Sequence, residues 1–127
     1  MKRNQFLLMI IFIALLVSCA KQENNPSLVC TMEYRTISIH IIGDTLQYFY
    51  TIRQSTGDTI RYNNMNSVNP FAYSVLEDSY QPNLANKTDS FIFYGIINNS
   101  IVVKEPFQIK ADQCHIEYLS GKQEISL

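Results

Sequence analysis

Two hydrophobic patterns divide the chain. Residues 6–17 form an uninterrupted apolar run, whereas from about residue 34 onward apolar and polar residues alternate in short segments. A short apolar run after basic residues is typical of a targeting segment, and alternation with a period of two is typical of half-buried β-strands. No later segment has the periodicity of an amphipathic helix. The pattern therefore predicts a leader followed by an all-β domain.

The clearest alternation lies in residues 34–42. It places three isoleucines on one face: Ile37, Ile39 and Ile41. Gly43 and Asp44 follow as a two-residue turn, in which Gly suits the positive φ of a type II′ turn. Alternation then resumes with a second apolar set: Leu46, Tyr48, Tyr50 and Ile52. Residues 36–53 are therefore predicted to form a β-hairpin.

In this hairpin Phe49 falls on the polar face of the second strand. Its neighbours on that face are polar: Gln47, Thr51 and Arg53. An exposed aromatic ring among polar residues can stack on a sugar or on a partner protein. The alternative is that the loop at residues 63–70 covers the ring. Phe49 is therefore a candidate binding residue.

The rest of the chain also reads as short strands. They are predicted around residues 59–62, 71–75, 91–97, 101–109, 114–118 and 124–127. Asn98 and Asn99 suit a type I′ hairpin turn, and Pro106 marks a sheet edge or a bulge. Residues 91–97 are apolar on both faces, which is typical of a central strand covered on two sides. About seven strands with turns between them predict an antiparallel β-sandwich of the immunoglobulin-like kind. A true immunoglobulin domain is disfavoured, because the chain has no Trp and its cysteines lie at the two ends of the domain.

The N-terminus has the layout of a secretory signal. Lys2 and Arg3 precede the apolar run, which is shorter than the roughly 20 residues that span a bilayer. The run ends in Leu16-Val17-Ser18-Cys19, which resembles the lipobox of bacterial lipoproteins. The alternative is a membrane helix with an incidental cysteine.

The lipobox resemblance implies a covalent anchor. Cys19 would carry diacylglycerol and a further acyl chain such as palmitate, and the peptide bond before it would be cleaved. Two or three acyl chains hold a protein on a membrane where one does not. The expected organisation is a signal peptide at residues 1–18, a lipidated tether at 19–29 and a β-sandwich domain at 30–127.

The residues after Cys19 give information on the cellular location of the protein. Ala20 stands where an Asp would signal inner-membrane retention in similar lipoproteins, so we expect delivery to the outer membrane. Lys21-Gln22-Glu23 loosely resembles a surface-export tag, and the domain is expected either in the periplasm or on the cell surface. Removal of residues 1–18 leaves 8 of the 10 basic residues and all 11 acidic ones, a formal charge of −3. Such a charge does not attract nucleic acid.

Two cysteines remain once Cys19 is lipidated. Cys30 and Cys114 lie near the two ends of the domain and would meet an oxidising compartment, which favours a disulfide between them. That bond would close most of the domain into one loop and stabilise it by about 4 kcal/mol in the chain-entropy model. The alternative is two buried free thiols.

Candidate catalytic chemistry is sparse. His40 and His115 are expected on exposed strand faces, outside any cluster with metal-ligand spacing. The acidic residues are expected to be solvated loop charges, since they lack the spacing of a calcium loop: Asp44, Asp58, Glu77, Asp78 and Asp89. A glycan-acting enzyme would need two such carboxylates across a cleft, with Glu77 and Asp89 as candidates. We expect no metal and no cofactor.

Two short motifs carry a further resemblance. They are Asp112-Gln113-Cys114-His115 and Tyr73-Ser74-Val75-Leu76-Glu77-Asp78. Residues 30–121 resemble small bacterial lipoproteins with a transthyretin-like or carboxypeptidase-regulatory-like sandwich, and the resemblance implies a fold and an address but no chemistry. The expected function is a non-enzymatic binding or scaffolding module with a glycan or envelope-protein partner. The alternatives are a subunit of an envelope complex and a carboxylate-based enzyme.

Overall fold

A computed structural model describes residues 29–63 and 69–127. Cys19 and residues 1–18, on which the anchor and the signal peptide were predicted, lie outside the described residues. In the part of the chain that is described, no helix is both long and apolar enough to cross a membrane.

The described residues form a sandwich of two β-sheets, as the sequence predicts. The larger sheet contains β2 Tyr48–Arg53, β3 Thr59–Ile60, β5 Thr88–Ile97, β6 Ser100–Ala111 and β7 Ile116–Ser120. These strands are antiparallel and lie in the order β3-β2-β5-β6-β7. The smaller sheet contains β1 Thr36–Ile42, β4 Ala72–Glu77 and β8 Glu124–Ser126 in the order β4-β1-β8. The all-β fold class is confirmed.

The hairpin predicted for residues 36–53 is wrong. β1 pairs with β4 and β8, whereas β2 pairs with β3 and β5, so the two strands belong to different sheets. Residues 43–47 cross between the sheets. The Leu46 side chain packs against Gly95, and a Cβ atom added to Gly95 would lie only 2.7 Å from Leu46 Cδ1. Strands that face each other across a core show the same alternation as a hairpin, so the pattern could not separate the two.

The turn between β5 and β6 is as predicted. Asn98 and Asn99 have φ angles of 49° and 60°, which a type I′ turn requires. Pro106 lies on a stretch of β6 that β7 does not reach, because β7 pairs only with residues from Gln108 to Ala111. An edge position tolerates the missing N–H of proline.

Residues 77–89, whose acidic residues were expected to be solvated loop charges, contain regular structure. A 3₁₀ turn at Asp78–Tyr80 leads into a short helix, α1 Gln81–Leu84, and β5 begins at Thr88. Leu84 is fully buried, and the Tyr80 ring packs edge-on against Phe91. This segment closes one end of the sandwich.

The core lies between the facing sides of the sheets. The larger sheet contributes Phe49, Phe91, Phe93, Val103, Phe107 and Ile109, and the smaller contributes Ile37, Ile39, Ile41, Tyr73 and Val75. Alternation leaves every second residue on an outer face.

Candidate functional site

Phe49 is a core residue, so the prediction of an exposed aromatic ring at this position is wrong. Its side chain is 8% exposed, and its ring lies 5.2 Å from that of Tyr73 and 5.8 Å from that of Phe93. Thr51, two residues along β2, is also buried. The faces of β2 are therefore the reverse of the predicted ones.

The reversal turns Tyr48 and Tyr50 outward. Tyr48 is 45% exposed and Tyr50 is half-buried. The Tyr50 ring stacks on that of its cross-strand partner Tyr94, with ring centroids 5.0 Å apart and planes 17° apart. Tyr48 lies 5.7 Å from Tyr50 along the strand. These rings form an aromatic cluster on the outside of the larger sheet.

Cross-strand pairing extends this cluster over three strands. Tyr50 is opposite Tyr94, and Tyr94 is opposite Lys104, whose Nζ lies 5.9 Å from the Tyr94 ring centroid. The flanking rows are aliphatic. We name the outer surface of the larger sheet the tyrosine face, made by Tyr48, Tyr50, Ile52, Ile92, Tyr94, Ile96, Ile101 and Lys104. Its apolar residues cover one another in part, but Ile101 is 57% exposed.

The border of the tyrosine face is cationic. Arg61 donates a hydrogen bond from Nε to the Tyr48 hydroxyl, and Lys104 has no carboxylate within salt-bridge distance among the described residues. On the far strands of the same sheet, Lys110 and Glu117 pair at 3.0 Å and offset each other. The face therefore combines aromatic and aliphatic groups with positive charge at its edge.

The predicted disulfide is present between Cys30 and Cys114, with a Cα–Cα distance of 5.4 Å. It joins the segment before β1 to the turn before β7. The alternative of two free thiols is thereby excluded for this structure.

The prediction that His115 is exposed is wrong. Its side chain is 8% exposed, its Nδ1 lies 2.7 Å from Asp78 Oδ2, and its Nε2 lies 2.9 Å from the Thr31 hydroxyl. Asp112 shapes the turn by accepting hydrogen bonds from the N–H groups of Cys114 and His115. Residue 115 therefore belongs to a turn, where strand alternation does not apply.

Asp78 is likewise buried rather than solvated. Besides His115, it accepts hydrogen bonds from the backbone N–H groups of Arg35 and Ile116, each at 2.8 Å. Burial alone would raise the pKa of Asp78, but the hydrogen bonds from Ile116, Arg35 and His115 together lower it. The two sequence motifs thus meet at one ionised carboxylate.

The order Thr31, His115 and Asp78 is that of a hydroxyl, a base and an acid in serine hydrolases. Both Asp78 oxygens, however, bind backbone N–H groups that begin β1 and β7, and Thr31 follows the disulfide. We interpret the cluster as a clamp that fixes the N-terminal segment to the sandwich.

The other candidate groups have separate partners in the structure. Asp89 forms an ion pair with Arg53 at 2.5 Å and accepts a hydrogen bond from Ser55, while Glu77 accepts one from Tyr34. Burial would raise the pKa of Asp89, but its hydrogen bonds lower it. His40 is half-buried and contacts Asn69. Residues 29–63 and 69–127 contain no metal-type cluster of three or more His, Cys, Asp or Glu.

The tyrosine face was hidden from sequence reasoning because its composition is that of a core strand. The one signal in the sequence was Phe49, an aromatic residue in an otherwise polar phase, because an inward Phe49 turns Tyr48 and Tyr50 outward. Comparison with protein-family models, with curated proteins and with solved structures finds no match.

Proposed function

We propose that this protein is a non-enzymatic binding module of the bacterial outer membrane, held by lipid on Cys19, that binds another envelope protein through the tyrosine face. The observation that carries the proposal is an outer sheet face built of tyrosines and isoleucines, with Tyr48 and Ile101 strongly exposed. Contiguous apolar surface on a small domain is typical of an interaction site.

The composition of the face favours a protein over a glycan. Isoleucines offer aliphatic groups, which pack best against other apolar side chains. Tyr50 and Tyr94 stack on each other, so neither ring has both sides free for a sugar. Tyrosine is enriched at the centres of protein interfaces, because it offers a large rigid apolar surface together with a hydroxyl.

The charges at the border specify the partner further. Lys104 and Arg61 lie beside the aromatic cluster. Carboxylates on the partner that face these cations would fix its orientation and speed its association. We therefore propose a partner with an apolar centre and an acidic rim.

The state of the acidic residues supports a non-enzymatic role. A general acid in glycoside hydrolysis needs a raised pKa so that it holds its proton near neutral pH. The pKa of Asp89 is lowered instead, and the carboxylate is held by Arg53 and Ser55. An ionised, ion-paired carboxylate is a poor proton donor.

The family that we propose for this chain rests on two sequence motifs. We propose that the chain is a small lipoprotein with a transthyretin-like sandwich. Support comes from the two motifs, whose polar residues Asp78 and His115 meet in one cluster. This resemblance implies a cellular location but no catalytic activity.

Site-specific photo-crosslinking in cells of the native host tests the binding proposal. A benzophenone amino acid replaces Tyr48 in one strain and Phe71 in a control strain. Phe71 is also aromatic and 45% exposed, but it lies beside the smaller sheet. We expect a defined protein adduct from position 48 and not from position 71. Equal labelling at both positions, or none at 48, contradicts the proposal.

Fractionation of the same cells tests the address. We expect the protein in the outer-membrane fraction and a Cys19→Ala variant outside it. Protease treatment of intact cells then separates a surface domain, which is cleaved, from a periplasmic one, which is protected.

A further inference from the structure

The geometry points to a second binding site: a groove along the open edge of β1 that takes an extended peptide segment of a partner protein by β-strand addition. This inference is independent of the tyrosine face, which lies on the outside of the other sheet.

The edge of β1 is only half covered. β4 pairs with Thr36 to His40 on one side, but on the other side β8 pairs only with His40, Ile41 and Ile42. The residues of β1 before His40 therefore have a strand neighbour on one side alone among the described residues.

The directions of the backbone hydrogen bonds show which N–H and C=O groups of β1 face the uncovered side. The His40 N–H donates to the Gln123 carbonyl beside β8, and the Ile41 N–H donates to the Phe71 carbonyl beside β4. Backbone groups alternate along a strand. The irregularity in the β1 and β4 pairing places the extra residue on β4, so β1 itself keeps this alternation.

The groups of Ser38 and Thr36 therefore point to the side that β8 does not reach. The Arg35 carbonyl accepts a hydrogen bond from the Asp78 N–H on the β4 side, as the same alternation requires. Within residues 29–63 and 69–127, no strand pairs with Ser38 or Thr36 on that side, and no backbone hydrogen bond from a loop or turn reaches either residue. An unpaired strand edge is a template for another strand.

A groove of about 430 Å³ lies beside the start of this edge, at Thr36 and Ile37. One wall is formed by residues 33–37 and the other by Ile116, Glu117 and Tyr118 of β7, the edge strand of the larger sheet. A short turn joins β7 to β8, so the sandwich is closed at the β8 end and open at this end.

The hydrogen-bonding pattern specifies an extended polypeptide as the occupant. Two residues with outward N–H and C=O groups match the spacing of a strand, and main-chain pairing supplies affinity in this mode. The open length from Thr36 to Ile39 accommodates about four residues, on the order of 13 Å.

The walls define the side chains that fit. Ile37 and Ile116 are buried at the base, while Glu33 and Arg35 pair at 3.6 Å on the exposed rim. The bound segment should therefore alternate, with apolar side chains toward the base and polar ones toward the rim. Mixed charge at the rim favours no single sign.

Peptide selection and an edge-specific variant test the inference. Linear random peptides displayed on phage are selected on the lipidated mature protein in detergent micelles, and the peptides obtained are measured against variants. Ser38→Pro removes one outward N–H but no bond to β4, and proline is tolerated at such an edge. Ser38→Ala keeps the N–H and is the matched control.

We expect alternating apolar and polar peptides that bind the Ser38→Ala variant like wild type and the Ser38→Pro variant about tenfold more weakly. Equal binding to Ser38→Pro overturns the inference, as does loss of binding in a Tyr94→Ala variant alone, which would place the peptides on the tyrosine face. If Ser38→Pro does not fold, amide exchange in the wild type decides. The Ser38 N–H should exchange quickly without peptide and slowly with it, and protection without peptide would mean that the edge is already filled.

Discussion

His115 Nδ1 lies 2.7 Å from Asp78 Oδ2, and each of the two side chains is only 8% exposed. The Asp78 carboxylate also accepts hydrogen bonds from the backbone N–H groups of Arg35, just before β1, and of Ile116, at the start of β7. One side chain thus fixes segments from both sheets.

Asp78→Asn should destabilise the fold at neutral pH by about 3 kcal/mol. The substitution removes the negative charge to which the buried His115 side chain and two backbone N–H groups are hydrogen-bonded. The pKa of Asp78 is lowered in the folded protein. The contribution of Asp78 to the free energy of unfolding is therefore complete above its pKa in the unfolded chain, about 3.9. That contribution is lost as the pH falls through its lower pKa in the folded protein. Denaturant unfolding between about pH 7 and pH 2 should show a shallower acid loss in the variant. Asp44→Asn, which removes an exposed carboxylate, is the control, and equal acid loss in wild type and Asp78→Asn contradicts this account.

Thr51→Val should stabilise the protein by about 1 kcal/mol. The Thr51 Oγ1 is buried and has no hydrogen-bond partner among the described residues. Valine has nearly the same shape and removes the cost of burying an unpaired hydroxyl. Thermal unfolding of this variant and of Thr59→Val, an exposed substitution on β3, separates burial from β-propensity. A lower melting temperature for Thr51→Val would show that the hydroxyl has a partner.

Tyr73→Phe should destabilise the protein by about 1–2 kcal/mol. The Tyr73 hydroxyl accepts a hydrogen bond of 2.8 Å from the Leu46 N–H, in the segment that crosses between the sheets. Without it a buried N–H loses its partner. Tyr94→Phe is the control because its ring lies on the outer face. Equal denaturation midpoints for the two variants contradict the assignment.

Loss of the disulfide should cost up to about 4 kcal/mol, since Cys30 and Cys114 close a loop with a sequence separation of 84. We expect a Cys30→Ser, Cys114→Ser double variant to unfold at lower denaturant than the oxidised wild type. Reduced wild-type protein should behave like the double variant. A midpoint that does not change on reduction would mean that the bond adds no stability.

The fold class was predictable because alternation and turn residues are local signals. Asn98 and Asn99 fixed one hairpin, since few residues adopt their positive φ angles at low cost. The pairing of β1 was not predictable, because the inward alternation of Ile37, Ile39 and Ile41 is the same whichever strand lies beside them. Sheet order depends on contacts that are distant in sequence.

The candidate site was mispredicted for a related reason. Hydrophobic periodicity assigns the more apolar phase of a strand to the core, and in β2 that phase is Tyr48, Tyr50 and Ile52. An outer sheet face of tyrosines and isoleucines has the composition of an interior, so periodicity assigns the wrong phase of such a strand to the core. His115 was missed because its burial depends on Asp78, 37 residues away.

The link between Cys30 and Cys114 also determines how the molecule bears tension. Cys30 precedes every described strand, and Cys114 lies just before β7. A pull on the chain upstream of Cys30 therefore passes through a covalent bond into the larger sheet, and β1 cannot be peeled away alone. The loop that the bond closes contains β1 to β6, so a pull from the N-terminal side loads these strands as one block, while β7 and β8 lie outside the loop.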